Sequence, residues 1–131
     1  MSEQKHILVV DDDERVLLIL DRTLRTLEDG YRIETAQSGQ EALEKARQVP
    51  IALLMTDLVM PGMDGVELTE AIRDLNADAA VIWMTAHGCH RFSSEAARLS
   101  IHDCLEKPIR VKDIRQAVLK ALKDAIGRET C

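Results

Sequence analysis

The chain has 131 residues, of which 46% are hydrophobic and 31% charged, and a formal net charge of −6. That length and balance describe one globular domain able to bury roughly two thirds of its chain surface without a structural metal or disulfide, and they exclude a disordered or fibrous polymer. The acidic excess, with no basic patch interleaved with aromatics, argues against direct nucleic-acid binding. No apolar run is long enough to span a membrane or to form a signal peptide, so no membrane association and a cytoplasmic location are expected.

In chain order, apolar runs of strand length alternate with segments of helical period. The first run, at residues 7–10 in "HILVVDDD", leads into Val16, Leu20, Leu24 and Leu27, a single helix face predicted to close at Gly30. A polar-broken strand over 32–35 follows. Ser38 stands three residues before Glu41, the spacing of a capping box, and opens a helix predicted to turn Leu43 and Ala46 inward. "IALLMTD" is a second apolar run, "MPGMDG" is turn chemistry, and a helix with Leu68, Ile72 and Leu75 inward comes next. "AVIWMT", a less regular helix near 95–99, a strand at 101–106 and a final helix on Ile114, Val118, Ala121 and Leu122 complete the series.

Five strands and five helices in alternation specify an α/β doubly wound parallel sheet. Runs 7–10, 51–55 and 80–84 are continuously apolar, as strands covered on both faces must be, whereas 32–35 and 101–106 are interrupted and suit the edges. Strands one, three and four are therefore interior, consistent with the flavodoxin-like order 2-1-3-4-5 and helices on both faces. No repeat or linker divides the chain. A single domain over 1–131 is expected, with a core of about 5–126 and a short tail at 127–131.

The carboxyl ends of these strands collect the chemistry. Strand one ends in Asp11 and Asp12, strand three in Asp57, strand four in Thr85 and strand five in Lys107. Three carboxylates converging on one edge raise one another's pKa unless a cation sits among them. Oxygen ligands at a watery edge suit Mg²⁺. An acid, a hydroxyl, an ammonium and Mg²⁺ are the parts that stabilise a phosphoryl group in transfer, and a carboxylate can itself be the nucleophile.

"ILVVDDDERV", "LLMTDLVMPGMDG", "VIWMTAHG" and "CLEKPI", in that order over essentially the whole chain, closely resemble the receiver domain of two-component response regulators. The resemblance implies a phosphorylation-dependent signalling switch. Asp57 would accept a phosphoryl group from a histidine kinase or phosphotransfer protein, and Asp11, Asp12, Asp57 and the Val59 carbonyl would hold Mg²⁺. Lys107 would pair with the phosphoryl oxygens, Thr85 would hydrogen-bond one of them, and the Lys107–Pro108 bond would be cis. Such a domain is no turnover enzyme; it catalyses only its own phosphorylation and dephosphorylation. Its output would be a downstream effector or a domain beyond this chain, with a homodimer through the fourth helix, fifth strand and fifth helix as a further possibility.

Asp13 is left over and is expected at the N-terminus of the first helix, where negative charge is favourable. The sequence departs from the family at Cys104, where an aromatic residue is usual, so the transmission of the switch is expected to differ. In the family the positions of Val59 and His87 tune phosphoryl lifetime; the resemblance implies a longer one for an apolar Val59, with His87 able to act in the other direction. Cys89, Cys104 and Cys131, odd in number and scattered, read as reduced thiols. "HGCH" offers His87, Cys89 and His90 to a metal, with His102 as the remaining candidate, but loop residues are the better reading. Met55, Met60, Met63, Met84 and Trp83 read as packing, and Arg110, Lys112, Arg115, Lys120 and Lys123 as a solvated face. Two rivals remain: a receiver fold that binds partners without phosphorylation, and a haloacid-dehalogenase-type phosphatase using Asp11 and Asp13, a family that needs a further acid pair after the Lys where this chain has only the isolated Asp113, Asp124 and Glu129.

Overall fold

The computed structural model describes residues 4–27 and 30–130, with side chains through residue 124. Five parallel strands, β1 (Lys5–Val10), β2 (Tyr31–Ala36), β3 (Ile51–Asp57), β4 (Ala80–Thr85) and β5 (Asp103–Glu106), form one sheet in the order β2-β1-β3-β4-β5. The helices are α1 (Glu14–Arg25), α2 (Gly39–Ala46), α3 (Gly65–Leu75), α4 (Ser93–Leu99) and α5 (Val111–Thr130), and a 3-10 turn at Cys89–Phe92 precedes α4. The interior position of β1, β3 and β4 matches their unbroken apolar sequence.

Because side chains alternate across a strand, each interior strand feeds two cores. Ile7, Val9, Leu53, Met55, Ile82 and Met84 point to one face and pack with Leu17, Leu20 and Leu24 of α1 and Ile114, Val118 and Leu122 of α5. Leu8, Val10, Leu54, Val81 and Trp83 point to the other and meet Ala42 and Ala46 of α2 and Leu68 and Ile72 of α3. Each fully buried Leu, Ile or Val contributes roughly 1.5–3 kcal/mol, so these two layers hold the sheet that presents the carboxyl edge. The helix α4 contributes no buried residue and only rests partly buried Ala96 and Leu99 on the second core.

Several local details differ from the sequence reading. The helix α1 stops at Arg25, with Thr26 as its C-cap donating its N–H to Leu24 and Thr23 carbonyls; Gly30, at φ +98°, begins the turn into β2 and does not close the helix. In α2 the buried residue is Ala42 alongside Ala46, and Leu43 is half-buried. Leu75, expected inward, is 46% exposed at the last residue of α3, and Thr69 joins Leu68 and Ile72 among that helix's buried residues. The hydroxyl of Ser38 does cap α2 through the Glu41 N–H, but Glu41 reaches back to the N–H of Gln37. A complete capping box stands instead at Asp64 and Glu67. The helix α5 continues through Gly127 to Thr130, since one glycine costs a helix only about 1 kcal/mol.

Candidate functional site

Backbone hydrogen bonds carry the sheet one residue past its strands and fix where the site residues emerge. The N–H of Asp11 donates to the Ala36 carbonyl at 3.1 Å, that of Leu58 to the Met84 carbonyl at 2.9 Å, and that of Lys107 to the Thr85 carbonyl at 2.8 Å. Asp11 and Thr85 are fully buried, Asp57 is buried and Asp12 is exposed. Asp13 has left the cluster: it is the N-cap of α1, its carboxylate accepting the Arg15 N–H at 2.9 Å, and that bond holds its pKa below the usual carboxylate value.

The Lys107 ammonium bridges the two buried acids, 2.6 Å from Asp11 Oδ2 and 3.3 Å from Asp57 Oδ2. Asp11 Oδ1 also accepts the Asp13 N–H at 2.9 Å, which fixes its orientation. Burial pushes the Asp57 carboxyl above the usual carboxylate value; Lys107 pulls it down, the Asp11 charge pushes it up again, and the Val59 N–H bonded to it pulls it down. For Lys107, burial works toward a lower pKa, but the hydrogen bond to Asp11 and the charges of Asp57 and Asp11 outweigh it, so the ammonium is held above its ordinary value. One cation thus pairs with two of the three acids, leaving unbalanced negative charge at the sheet edge.

Asp11, Asp12 and Asp57 each offer an oxygen within 4.8 Å of the others, the one group of potential metal ligands among the described residues. An all-oxygen set with excess negative charge, one member of it open to water, fits a hard divalent cation such as Mg²⁺. Thr85 Oγ1 accepts the His87 N–H at 3.0 Å, which anchors the loop after β4 to the site. Val59, 48% exposed, and His87 flank the rim. The Lys107–Pro108 peptide is cis.

Two supports were not legible in the sequence. Gly65, the first residue of α3, donates its N–H to the Leu58 carbonyl at 3.0 Å, and a Cβ there would meet the Asp57 carbonyl oxygen and lie 2.8 Å from Leu58 Cα. Behind it, Trp83 Nε1 donates to Thr69 Oγ1 at 2.9 Å, and that hydroxyl donates to the Gly65 carbonyl at 2.7 Å. The start of α3 is thereby pinned between the loop after Asp57 and the centre of β4.

The expectation of reduced thiols is overturned for two of the three cysteines. Cys89 and Cys104 are joined by a disulfide, their Cα atoms 6.0 Å apart. The 3-10 turn bends the loop after β4 back over β5 and brings together residues whose separation in sequence suggested no partner. Cys89 is then no metal ligand, which removes the "HGCH" alternative. Cys131 lies outside the described residues. Met55 and Met84 are fully buried and Met60 buried, Met63 is half-buried, and the basic residues named on and before α5 are exposed.

The comparisons with known proteins agree with this geometry. Residues 7–119 match the family model described as the response regulator receiver domain. The chain is 37% identical over 121 residues to the transcriptional regulatory protein ZraR of Klebsiella oxytoca, covering 92% of this chain and 27% of that protein. It superposes on a CheY-like response regulator receiver domain protein of Methanospirillum hungatei with a TM-score of 0.85 at 26% identity, over 95% of this chain and 98% of that one. The beryllofluoride-activated NtrC4 receiver domain dimer gives 0.81 at 30%, over 92% and 98%. The chain spans about half or less of the length of the curated relatives it matches. Neither the phosphatase nor the phosphorylation-independent reading is favoured by these matches. With its parallel sheet in the order 2-1-3-4-5, its acids at the ends of β1 and β3 and this match over most of its length, the chain belongs to the response regulator receiver domain family, the phosphorylation switches of two-component systems.

Proposed function

We propose that Asp57 is the phosphoryl acceptor of this receiver, and that the whole of 1–131 serves as one receiver unit. The observation that carries the reading is the Lys107 ammonium held between Asp11 at 2.6 Å and Asp57 at 3.3 Å, a fixed cation beside a buried carboxylate. A carboxylate oxygen of Asp57 attacks the phosphorus of a phosphohistidine or acyl phosphate; the new P–O bond forms as the bond to the donor breaks, and the donor group leaves with its electron pair. Mg²⁺, held by Asp11, Asp12, Asp57 and the Val59 carbonyl, would neutralise the charge on the phosphoryl oxygens. Lys107 pairs with one of those oxygens, and the Thr85 hydroxyl donates to another. The domain so far acts on itself alone: it promotes its own phosphorylation and hydrolysis and turns over no other substrate.

The donor is a histidine kinase or phosphotransfer protein, and the setting is cytoplasmic. The output is a downstream effector or a domain joined to this one, as the greater length of ZraR suggests. The NtrC4 receiver domain is a dimer, which supports self-association of this chain, proposed here through the α4-β5-α5 face. The test is intact mass after incubation with Mg²⁺ and acetyl phosphate. One phosphoryl group is expected on the native protein and none on Asp57→Asn or with EDTA; uptake by Asp57→Asn removes the assignment.

In the same assay Val59→Asn is expected to shorten the life of the phosphoryl group. The native side chain is apolar and cannot orient an attacking water, whereas an amide can. An unchanged decay rate would leave His87, on the opposite rim, as the residue that sets the lifetime.

A further inference from the structure

We propose that Cys89 and Cys104 form a reversible thiol–disulfide site that locks α4 and the loop after β4 against β5, so that the receiver also reports the redox state around it. The consequence for signalling rests on the phosphorylation reading above; the site itself does not.

Three observations converge. The bond closes a segment, separated by 15 positions in sequence, that consists of the 3-10 turn, α4 and the entry to β5, and neither the turn nor α4 contains a buried residue. Elsewhere the sheet is held by two continuous apolar cores, so the bond restrains the least packed part of the fold and is not needed to hold the rest. Both cysteines are half-buried, Cys104 against the second core, and a small oxidant or reductant can reach them. In a reducing compartment a disulfide is typically transient or redox-sensing, whereas a structural staple belongs to oxidising ones.

The position couples the bond to the site. Cys89 lies four residues after Thr85, and Cys104 three before Lys107. Thr85 Oγ1 accepts the His87 N–H at 3.0 Å, and the Cys89 N–H donates to Glu106 Oε1 at 3.1 Å, so both ends of the bridge connect to site residues through short, hydrogen-bonded chain. Without the bond, α4 is held by partly buried Phe92, Ala96 and Leu99, by Arg73 donating to the Leu99 carbonyl at 2.5 Å, and by an exposed Arg98–Glu70 pair at 3.5 Å.

Formation needs an oxidant of the small-molecule disulfide class. One cysteine thiolate attacks a sulfur of that disulfide and releases one thiolate; the second cysteine thiolate attacks the resulting mixed disulfide and releases the other. The protein loses two protons and two electrons, and the external disulfide becomes two thiols.

The experiment uses the full chain with Cys131→Ser, equilibrated in glutathione buffers from fully reduced to fully oxidised, blocked with N-ethylmaleimide and weighed intact. Two labels are expected at the reduced end and none at the oxidised end, where the unlabelled protein is lighter by two hydrogens, with a transition that reverses. Amide exchange over 88–104 is expected to be about tenfold slower in the oxidised form. Two labels at every ratio, a bond that persists in excess reductant while the protein stays folded, or equal exchange in the two forms would each overturn the proposal. Acetyl phosphate is then added to both forms: phosphoryl loss at different rates supports the coupling, and equal rates overturn it. Uptake in neither form counts against the phosphorylation reading alone, because labelling and exchange judge the redox site by themselves.

Discussion

Lys107→Met is expected to slow phosphorylation from acetyl phosphate by roughly 100-fold or more, the effect of deleting one fixed donor from a charge-developing site. It is also expected to destabilise the metal-free domain at neutral pH by about 3 kcal/mol, because Asp11 is fully buried and loses the cation 2.6 Å away. Methionine keeps most of the length of the lysine stem, so packing changes little and the loss is electrostatic. The pH dependence separates the two contributions. Asp57 already sits above the usual carboxylate value through burial, and Lys107 is what opposes that rise; without it the carboxyl rises further, and the acidic limb of the phosphorylation profile moves to higher pH.

For stability both raised values act in the same direction, favouring the fold at lower pH, but in different windows. Lys107 has a raised folded-state pKa, so its contribution is complete below the ordinary lysine value and disappears only as alkaline pH deprotonates Nζ. The raised pKa of Asp57 means its carboxyl favours the fold when protonated, and that contribution is lost as pH rises through the folded-state value. The Lys107→Met deficit is therefore expected to be largest at neutral pH and to shrink on acidification, as Asp57 protonates, and when Mg²⁺ is added. Denaturant titrations at three pH values measure it. A deficit independent of pH would mean that the ammonium is not what holds the buried acids.

The sequence exposed the framework of this site because its determinants are local. An unbroken apolar run, as at 51–55 or 80–84, can only be a strand covered on both faces, and the residue that ends it must emerge at the carboxyl edge. That places Asp11, Asp57 and Thr85 before any coordinate is known. The capping acid Asp13 was legible for the same reason, since its role is decided within three residues. What sequence could not carry depends on the folded neighbours. Leu75 has the period of a core residue but is exposed where α3 ends, and the Cys89–Cys104 pairing exists only because a 3-10 turn folds back over β5. Trp83 read as packing, and its bond to Thr69 depends on how α3 lies across β4.

Gly65 shows the limit most sharply, and Gly65→Ala is expected to cost about 3 kcal/mol, a fall in melting temperature of roughly 10 °C. In the sequence it is the second glycine of "MPGMDG" and reads as turn chemistry, like Gly62. In the fold their roles differ. Gly62 has φ +76° and open space around its missing Cβ, so Gly62→Ala is strained only by its backbone conformation, about 1 kcal/mol. Gly65 has no such φ, but its Cβ would strike the Asp57 carbonyl oxygen and approach Leu58 Cα to 2.8 Å. Those are backbone atoms of the strand end that carries Asp57, and they cannot rotate away. Relief requires the N-terminus of α3 to lift, which stretches the bonds from Gly65 to Leu58 and from Thr69 to Gly65 and loosens the Trp83–Thr69 contact. A change in Trp83 emission should therefore accompany the loss of stability, and the chain has no other tryptophan to confuse it. If Gly62→Ala proves the more damaging of the two, the chain's need for glycine here lies in its turn and not in the close approach of α3 to Asp57 and Leu58.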